Sequence, residues 1–391
     1  MKQIQYFGVI LAISNALAFV PNVPSSFLHQ RRCVPAKPAC CRSTFTSSIS
    51  TGAPTIPVPL SPETLAGKVE QRLMERFGAD QASRIIQSWR LLDAGYEHRQ
   101  RFSEDPNSNF IQLAPSYVPG LTVRQFWDCS SIEWCDKLAS HYEEIREEFV
   151  RVTSDMETLK SQGNNVWAGA LTQDASSCGE GWRTLVLFNR GAWDKQNVAM
   201  FPKTAKAVRD CDMPIVEAFF ASMTPQSKIQ MHSDFTNFVL TCHLPLVIPK
   251  NGENKCRLTI GDETRQWLNG EVMVFDTSLM HDAVNETDET RYILMLRVWH
   301  PDLTPVERDA LQFLFDCLEV PELVSSDAAE RFFAEQRLEL NRSFPDTSTE
   351  VKATKSSLNQ KSAESFDIKQ KNKRKAKERS PGAGSKGFGK R

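Results

Sequence analysis

Two histidines and one carboxylate have the types and the spacing that suit a metal site. His232 and Asp234 lie two positions apart, and His281 follows far enough downstream to leave room for hairpins between them. Residues two apart in an extended segment point to the same side of the chain, so His232 and Asp234 can face one ion. Two imidazoles and a carboxylate, with positions left open for chemistry, are the ligand set of non-haem Fe(II) oxygenases. We therefore predict that His232, Asp234 and His281 bind Fe(II) and carry catalysis.

Other interpretations of these three residues stay open. Zinc and manganese accept the same groups, so a hydrolase on this set is one alternative. Each histidine alone is more simply a polar residue near a strand end, and only the whole constellation favours a metal.

Arg291, downstream of His281, is a candidate for binding an acidic co-substrate. A guanidinium matches a carboxylate in bidentate geometry, which suits the distal carboxylate of 2-oxoglutarate. Arg297 shares its strand face by parity and is a weaker candidate for the same role. A cation at a strand start is usually solvated, and that is the simpler interpretation of Arg291.

Four further polar residues are candidates for supporting roles. Thr241 and His243 share one face of a predicted strand, where they can contact the co-substrate. A core histidine with satisfied hydrogen bonds is the simpler interpretation of His243. Asp276 and Asp282 are spare carboxylates, and either is a candidate for orienting a ligand histidine.

Short apolar runs separated by turn signals surround these residues. Asn251-Gly252 and Asn269-Gly270 are typical of hairpin turns, and His281 is expected in the loop after a strand. The predicted strands cover residues 184–188, 215–222, 228–231, 238–248, 256–260, 271–275 and 291–298. The predicted helices cover residues 62–100, 131–152 and 203–212, a segment from the capping box at 304–307, and residues 327–338. Hairpins flanked by helices predict a mainly β fold, the double-stranded β-helix (jelly roll, cupin-like).

Charge and cysteine usage exclude several other classes. The 391 residues carry 47 basic and 48 acidic side chains, so no global field favours nucleic acid, and we expect no specific nucleic-acid binding. Three of the ten cysteines lie in the leader described next, and the others are scattered without CxxC spacing. This pattern argues against a disulfide framework and a structural zinc site.

The N-terminal residues have the composition of a leader. Residues 1–18 combine a basic start, a short apolar core and a small-residue end, which is typical of a signal peptide. Residues 19–61 are rich in Ser, Thr and Pro, and no acidic residue precedes Glu63. This arrangement resembles the bipartite presequence of algae with secondary plastids and predicts plastid import, with secretion or the ER lumen as the alternative. We expect no transmembrane helix in the mature chain.

The rest of the chain divides into three predicted regions. Residues 62–112 form an N-terminal helical region, and residues 113–343 form the double-stranded β-helix domain with C-terminal helices. Residues 344–391 are predicted to be a disordered basic tail, with a basic run at 369–375. That tail is a candidate for contacting RNA or an anionic membrane, and a solvated tail without function is the alternative.

An ordered series of motifs between residues 115 and 309 resembles the aspartyl/asparaginyl β-hydroxylase family. The segments that carry it are 118–122, 223–225, His232, 236–237, 243–249, 263–267, 270–272, 275–278, His281, Arg291 and 298–301. The resemblance implies a β-helix fold, Fe(II), and oxidation of 2-oxoglutarate by dioxygen to succinate and carbon dioxide while a substrate carbon is hydroxylated. It identifies the chain as a 2-oxoglutarate-dependent dioxygenase whose substrate, a protein residue such as Asp or Asn, a lipid or a small molecule, stays open. The alternative is a non-catalytic jelly-roll binding module with a vestigial metal site.

The chain departs from this family in its site. Members related to the animal enzyme have glycine at the position of Asp234 and bind iron through two histidines. They also place a serine and an arginine on 2-oxoglutarate where this chain has Ala221 and Thr241. Ser222 is one position away from the serine, and Arg291 alone matches the family's co-substrate residues. The predicted co-substrate set is therefore Arg291, Thr241, His243 and Ser222.

Overall fold

The computed structural model describes residues 59–169, 179, 181–249 and 253–344. Within them, the strands form sheets of two, four and seven members. In chain order the strands are β1 (His98–Arg101), β2 (Ile111–Ala114), β3 (Phe126–Trp127), β4 (Trp182–Asn189), β5 (Ala192–Trp193), β6 (Ile215–Met223), β7 (Ser227–His232), β8 (Val239–Val247), β9 (Cys256–Ile260), β10 (Glu263–Gln266), β11 (Met273–Phe275), β12 (His281–Asn285) and β13 (Arg291–Trp299).

Two facing sheets contain the last eight strands, and β3, β4 and β5 extend the larger of them. The larger sheet has the order β3-β11-β8-β13-β6-β4-β5, and the smaller has the order β10-β9-β12-β7. Along the chain, β6, β8, β11 and β13 join the larger sheet, while β7, β9, β10 and β12 join the smaller one. This alternation is the topology of the double-stranded β-helix, so the fold class predicted from the hairpin pattern is confirmed.

The space between the two sheets is filled by apolar side chains from both of them. Phe219, Phe275 and Ile293 from the larger sheet pack with Leu258 and Ile260 from the smaller one. Strands β8 and β13 are buried on both faces, because their opposite faces pack beneath helices. This explains why both strands are nearly continuous apolar runs, in which any charged residue stands out.

The turn between β9 and β10 depends on a glycine. Gly261 has φ +57°, the conformation that the first central residue of a tight two-residue hairpin turn requires. A Cβ atom added there would lie 2.9 Å from Gln125 Nε2 and 3.2 Å from Phe110 Cα. Glycine is therefore required both by conformation and by the close approach of the N-terminal segment.

Helices cover the outer face of the larger sheet and one end of the barrel. They are α1 (Leu65–Phe77), α2 (Ser83–Asp93), α3 (Glu133–Ser140), α4 (Tyr142–Thr153), α5 (Met156–Gln162), α6 (Lys195–Met200), α7 (Pro202–Asp210), α8 (Pro305–Glu319) and α9 (Ala328–Arg342). Helices α1, α2, α8 and α9 pack together around Phe238 and Trp299. Helix α8 begins at the predicted capping box, where Glu307 N donates to Thr304 Oγ1 and Thr304 N donates to the Glu307 carboxylate. Among the helices that the structure describes, none combines the length and apolar character needed to cross a bilayer.

Three details differ from the sequence-based expectation. The helix predicted for residues 62–100 is two helices, α1 and α2, separated after Gly78, which adopts φ +80°; α2 ends at Asp93, before Gly95 with φ +72°, and His98–Arg101 is a strand paired with β2. The helix predicted for 131–152 is interrupted at His141, whose amide donates to the carbonyl only three residues earlier. His281 begins β12 and is not in a loop. Residues 1–58 of the predicted leader, the turn at 251–252, Cys178 and residues 345–391 of the predicted tail lie outside the described residues.

Candidate active site

The two site histidines face each other across a pair of strands. His232 ends β7 and His281 begins β12, and the two are direct partners in the antiparallel register. Their ring centroids are 4.2 Å apart. His232 Nδ1 lies 2.7 Å from the carbonyl oxygen of Gln230, and His281 Nδ1 lies 2.8 Å from that of Leu279. In the neutral rings Nδ1 therefore carries the proton and donates to the carbonyl, which leaves the Nε2 lone pairs free for a metal.

Asp234 completes the cluster from the turn after β7. Its amide donates to the carbonyl oxygen of Thr277 at 2.8 Å, and the next residue, Phe235, has φ +65°. This tight turn brings Asp234 Oδ1 to 3.4 Å from His232 Nε2 and 3.8 Å from His281 Nε2. One ligand atom from each of the three residues lies within 4.8 Å of the others. The structure thus brings together the three residues whose spacing predicts a metal site.

Charges around the cluster favour an ionised carboxylate and a neutral His281. Burial opposes ionisation of Asp234, but Arg297 and the two histidines outweigh it and hold the pKa of Asp234 well below its ordinary value. Burial, helped by the nearby His232, lowers the pKa of His281 to about 4. Burial also disfavours charge on His232, yet the adjacent Asp234 carboxylate outweighs it and raises the pKa of His232. An ionised carboxylate and a neutral imidazole are the forms that bind a metal.

Arg291 is a buried cation with two donor atoms that no described residue uses. The residue is 1% exposed, and within the described residues its Nε and Nη1 atoms have no hydrogen-bond partner. Its guanidinium lies over the Trp267 ring at 4.4 Å, and Nη2 lies 3.6 Å from Met223 Sδ. Burial lowers the pKa of Arg291 to about 10, so it is still charged near neutral pH. A desolvated guanidinium with free donors is suited to an anionic ligand.

His243 presents a second free donor to the same interior. Trp267 Nε1 donates to His243 Nδ1 at 3.0 Å, so the neutral ring carries its proton on Nε2. Nε2 is buried and has no partner in the part of the chain that the structure describes. Burial, together with the nearby Arg291, holds the pKa of His243 well below its ordinary value, so the ring is neutral. Trp267 therefore contacts both candidate co-substrate residues.

Thr241 and Ser222 have different positions relative to this interior. Thr241 lies on β8, where its hydroxyl is 3.1 Å from that of Thr277, and it is the register partner of Arg297. Ser222 lies on β6 and points to the opposite face of the sheet, where its hydroxyl donates to the carbonyl oxygen of Arg183 at 3.4 Å. Its neighbour Ala221 is the residue that faces the interior. Because side chains alternate along a strand, the one-position shift turns Ser222 away from the site.

Sequence reasoning proposed Asp276 and Asp282 as groups that orient a site histidine, but the structure shows no such contact among the described residues. Backbone carbonyls fill that role at both histidines. Asp276 is buried and accepts hydrogen bonds from the amide and hydroxyl of Ser278, and burial raises its pKa to about 7. Asp282 follows His281 in β12 and lies on the half-buried face of that strand.

One contact in the site was missed by sequence reasoning. Arg297, considered above only as a weaker co-substrate candidate, forms an ion pair with Asp234, with 2.6 Å between Nη1 and Oδ2. Glu217 lies on the other side of Arg297, with its Oε2 atom 3.9 Å from Nε. Burial raises the pKa of Glu217 to about 7. The available signal was the presence of Glu217 in β6 and of Arg297 within β13, strands that are otherwise largely apolar.

Comparisons with known proteins agree with the motifs. Residues 139–301 match the family model described as Aspartyl/Asparaginyl beta-hydroxylase. The chain is similar to human aspartate beta-hydroxylase domain-containing protein 2, with 30% identity over 44% of this chain and 48% of that protein. It is also similar to mouse aspartyl/asparaginyl beta-hydroxylase, with 28% identity over 50% of this chain and 26% of that protein. The chain thus spans about half or less of the length of these relatives.

One further relative and two solved structures broaden the comparison. The ornithine lipid ester-linked acyl 2-hydroxylase of Rhizobium tropici is 26% identical over 46% of this chain and 62% of that protein. A viral collagen prolyl hydroxylase from Paramecium bursaria chlorella virus 1 aligns with a TM-score of 0.23 and 11% identity, over 30% of this chain and 78% of that one. A cupin domain of an XRE family transcriptional regulator from Enterobacter cloacae aligns with a TM-score of 0.21 and 11% identity, over 30% of this chain and 97% of that one.

The family match and the described geometry fall on the same part of the chain. The matched residues 139–301 include helices α4 to α7, all eight strands of the β-helix, and every residue of the site. The resemblance inferred from the motifs is therefore confirmed: residues 139–301 match the aspartyl/asparaginyl β-hydroxylase family model, and the relatives named above carry the names of that family.

Proposed function

We propose that the chain is an Fe(II)- and 2-oxoglutarate-dependent dioxygenase that hydroxylates its substrate. The observation that carries this proposal is the shared interior of two separate features. One is the cluster of His232, Asp234 and His281, and the other is the buried guanidinium of Arg291, whose Nε and Nη1 atoms have no partner among the described residues. A metal-binding set and an anion-binding donor at the same sheet interior suit an enzyme that binds an acidic co-substrate beside a metal.

The donor set fits Fe(II). Both Nδ1 atoms are committed to backbone carbonyls, so the two Nε2 lone pairs and one oxygen of Asp234 are left for an ion. When bound, Fe(II) would supply the activation of dioxygen that no amino-acid side chain provides. The chain's own contribution is to hold His232, Asp234 and His281 in position on two adjacent strands and one tight turn.

The co-substrate would be bound by the other polar groups of the interior. Arg291 would pair through Nε and Nη1 with the distal carboxylate of 2-oxoglutarate, and Trp267 holds the guanidinium in place from one face. His243 would donate its Nε2 proton to an oxygen of the same ligand, and Thr241 offers a hydroxyl nearer the metal. Each turnover would convert 2-oxoglutarate, dioxygen and a C–H bond into succinate, carbon dioxide and a C–OH bond.

Two substrate classes follow from the names of the relatives. Two relatives are named for aspartate or asparagine hydroxylation, and a third is named for hydroxylation of an acyl chain of ornithine lipid. We propose that the substrate is either an Asp or Asn residue of a protein or an acyl chain. Candidate peptides and lipids should be compared by product mass, since each hydroxylation adds one oxygen atom.

An anaerobic spectral titration tests the proposed chemistry before any substrate is known. Fe(II) is added to the full chain without oxygen, and 2-oxoglutarate is then titrated in. We expect a visible metal-to-ligand charge-transfer band that saturates with one equivalent of each, because 2-oxoglutarate would bind the iron directly. Absence of the band, with the protein folded and the metal bound, would favour the non-catalytic binding module. Stable incorporation of zinc or manganese during anaerobic purification would favour the hydrolase.

Plastid import stays a prediction from the composition of residues 1–61. A fluorescent fusion of these residues in an alga with secondary plastids tests it. Plastid fluorescence is the expected result, whereas fluorescence in the ER lumen or the medium would favour secretion.

A further inference from the structure

The ion pair between Arg297 and Asp234 divides the two oxygens of the carboxylate between different partners. Oδ2 lies 2.6 Å from Arg297 Nη1. Oδ1 lies 3.4 Å from His232 Nε2 and 3.8 Å from His281 Nε2. Oδ2 is thus held by Arg297, and Oδ1 faces the two histidines.

Arg297 is fixed in the wall of the barrel and has little freedom to leave this contact. Its side chain is 3% exposed, and it lies between Thr241 on β8 and Glu217 on β6 in the sheet register. Glu217 Oε2 lies 3.9 Å from Arg297 Nε, beyond hydrogen-bond distance. Within the described residues, Asp234 is therefore the one side chain that forms a hydrogen bond with this guanidinium.

This arrangement restricts the carboxylate in a way that the backbone alone does not. The turn positions the Cα atom of Asp234, but the terminal torsion of an aspartate is broad, so its carboxylate plane is not determined by the backbone. A short charge-assisted hydrogen bond from a buried guanidinium does determine it. We infer that Arg297 is a positioning residue that holds Oδ2 of Asp234, so that Oδ1 alone is presented as the third metal ligand.

This inference rests on the proposed function, since it requires a metal ion at the site. It differs from a direct role of Arg297 in binding the co-substrate. A positioning residue acts on metal affinity when no co-substrate is present, whereas a co-substrate contact does not. Metal affinity without 2-oxoglutarate is therefore the measurement that separates the two roles.

The test is a double-mutant cycle in Mn(II) affinity, measured by electron paramagnetic resonance on the full chain without co-substrate. The four proteins are wild type, Arg297→Met, Asp234→Gly and the double variant. We expect Arg297→Met to weaken Mn(II) binding by about 10- to 100-fold, the range seen when a residue that orients a ligand is removed. In the Asp234→Gly background, the same change should not weaken binding, because there is no carboxylate to position.

Arg291→Met is the matched control for removing a buried arginine. Like Arg297, Arg291 is a buried arginine on the inward face of β13. Unlike Arg297, it does not contact any of the three proposed metal ligands. Its Mn(II) affinity should stay within about twofold of wild type. Arg297→Lys keeps the cation and should recover part of the affinity, which also covers the case in which Arg297→Met does not fold.

Three outcomes would overturn the inference. Equal weakening by Arg297→Met in both backgrounds would show that Arg297 acts through the fold. Unchanged Mn(II) affinity in Arg297→Met, or in Arg297→Lys where the methionine variant does not fold, would show that Asp234 needs no positioning. Failure of the wild-type protein to bind Mn(II) or Fe(II) would contradict the proposed function itself, and is thereby distinct from the first two results.

Discussion

Two arginines at opposite ends of β13 have the same chemistry and opposite surroundings. Arg291 and Arg297 both point into the interior and both are nearly inaccessible to solvent. Arg297 is paired with Asp234, whereas Arg291 lies against Trp267 with Nε and Nη1 unpartnered among the described residues. A buried cation with a protein partner can hold structure, but one without such a partner is costly unless a ligand supplies the counter-charge. The comparison therefore separates a positioning arginine from a ligand-binding arginine.

Removing Arg291 should give the largest effect on co-substrate use. We expect Arg291→Ala to raise the KM for 2-oxoglutarate by about 100-fold, since loss of a buried charged contact costs about 3 kcal/mol. The measurement is turnover of 2-oxoglutarate over a range of its concentrations. Arg291→Lys restores the charge but not the bidentate geometry. Its KM for 2-oxoglutarate should therefore lie between those of the wild type and the alanine variant. An unchanged KM in the alanine variant would transfer the role to another cation.

Replacing each of the two arginines should change the free energy of unfolding of the metal-free protein differently. We expect Arg297→Met to lower the free energy of unfolding by about 2 kcal/mol, because it leaves the Asp234 carboxylate without its cation. Arg291→Met should leave stability unchanged or raise it by about 1 kcal/mol, because it removes a desolvated cation that has no carboxylate partner. Chemical denaturation of both variants under the same conditions provides the comparison. The same loss of stability in both would contradict the distinction.

Glu217, beside Arg297, should make stability depend on pH. Its folded-state pKa of about 7 lies above the ordinary value of 4.5, so the folded protein retains a proton that the unfolded chain releases. The stabilising contribution is therefore fully present below pH 4.5 and is lost as pH rises through 7. We expect Glu217→Gln to remove a decline on the order of 1–3 kcal/mol across this interval. The decline is measured by denaturation midpoints of the metal-free protein between pH 4.5 and 8. If the midpoint of the variant falls with pH as steeply as that of the wild type, the prediction is contradicted.

Ser222 should give the smallest effect. Because its side chain points away from the interior, Ser222→Ala should change the KM for 2-oxoglutarate by less than about twofold. Ala221→Ser places a hydroxyl on the inward face at the neighbouring position and is the matched comparison. A large loss of co-substrate affinity in Ser222→Ala would contradict the strand register described above.

Much of the fold was predictable because it depends on local patterns. Alternating strands with turn signals such as Asn269-Gly270 specify hairpins, and the capping box at Thr304 specifies a helix start. The interrupted helix at His141 and the strand at His98–Arg101 were not predicted. The strand depends on pairing with β2, and the interruption at His141 on one local backbone hydrogen bond, and hydrophobic periodicity signals neither of them.

For the site, the sequence by itself determined the ligand types, their spacing and the parity of the two arginines on β13. It did not determine the partner of either arginine, because parity states which face a side chain occupies and not what lies opposite. Only the tertiary structure decided that Asp234 reaches Arg297 and that Trp267 covers Arg291. It also decided that Ser222 faces outward, since the register of β6 in the sheet sets which of two neighbours points inward. Contacts between sheets depend on how the barrel closes, and no single segment of the sequence contains that information.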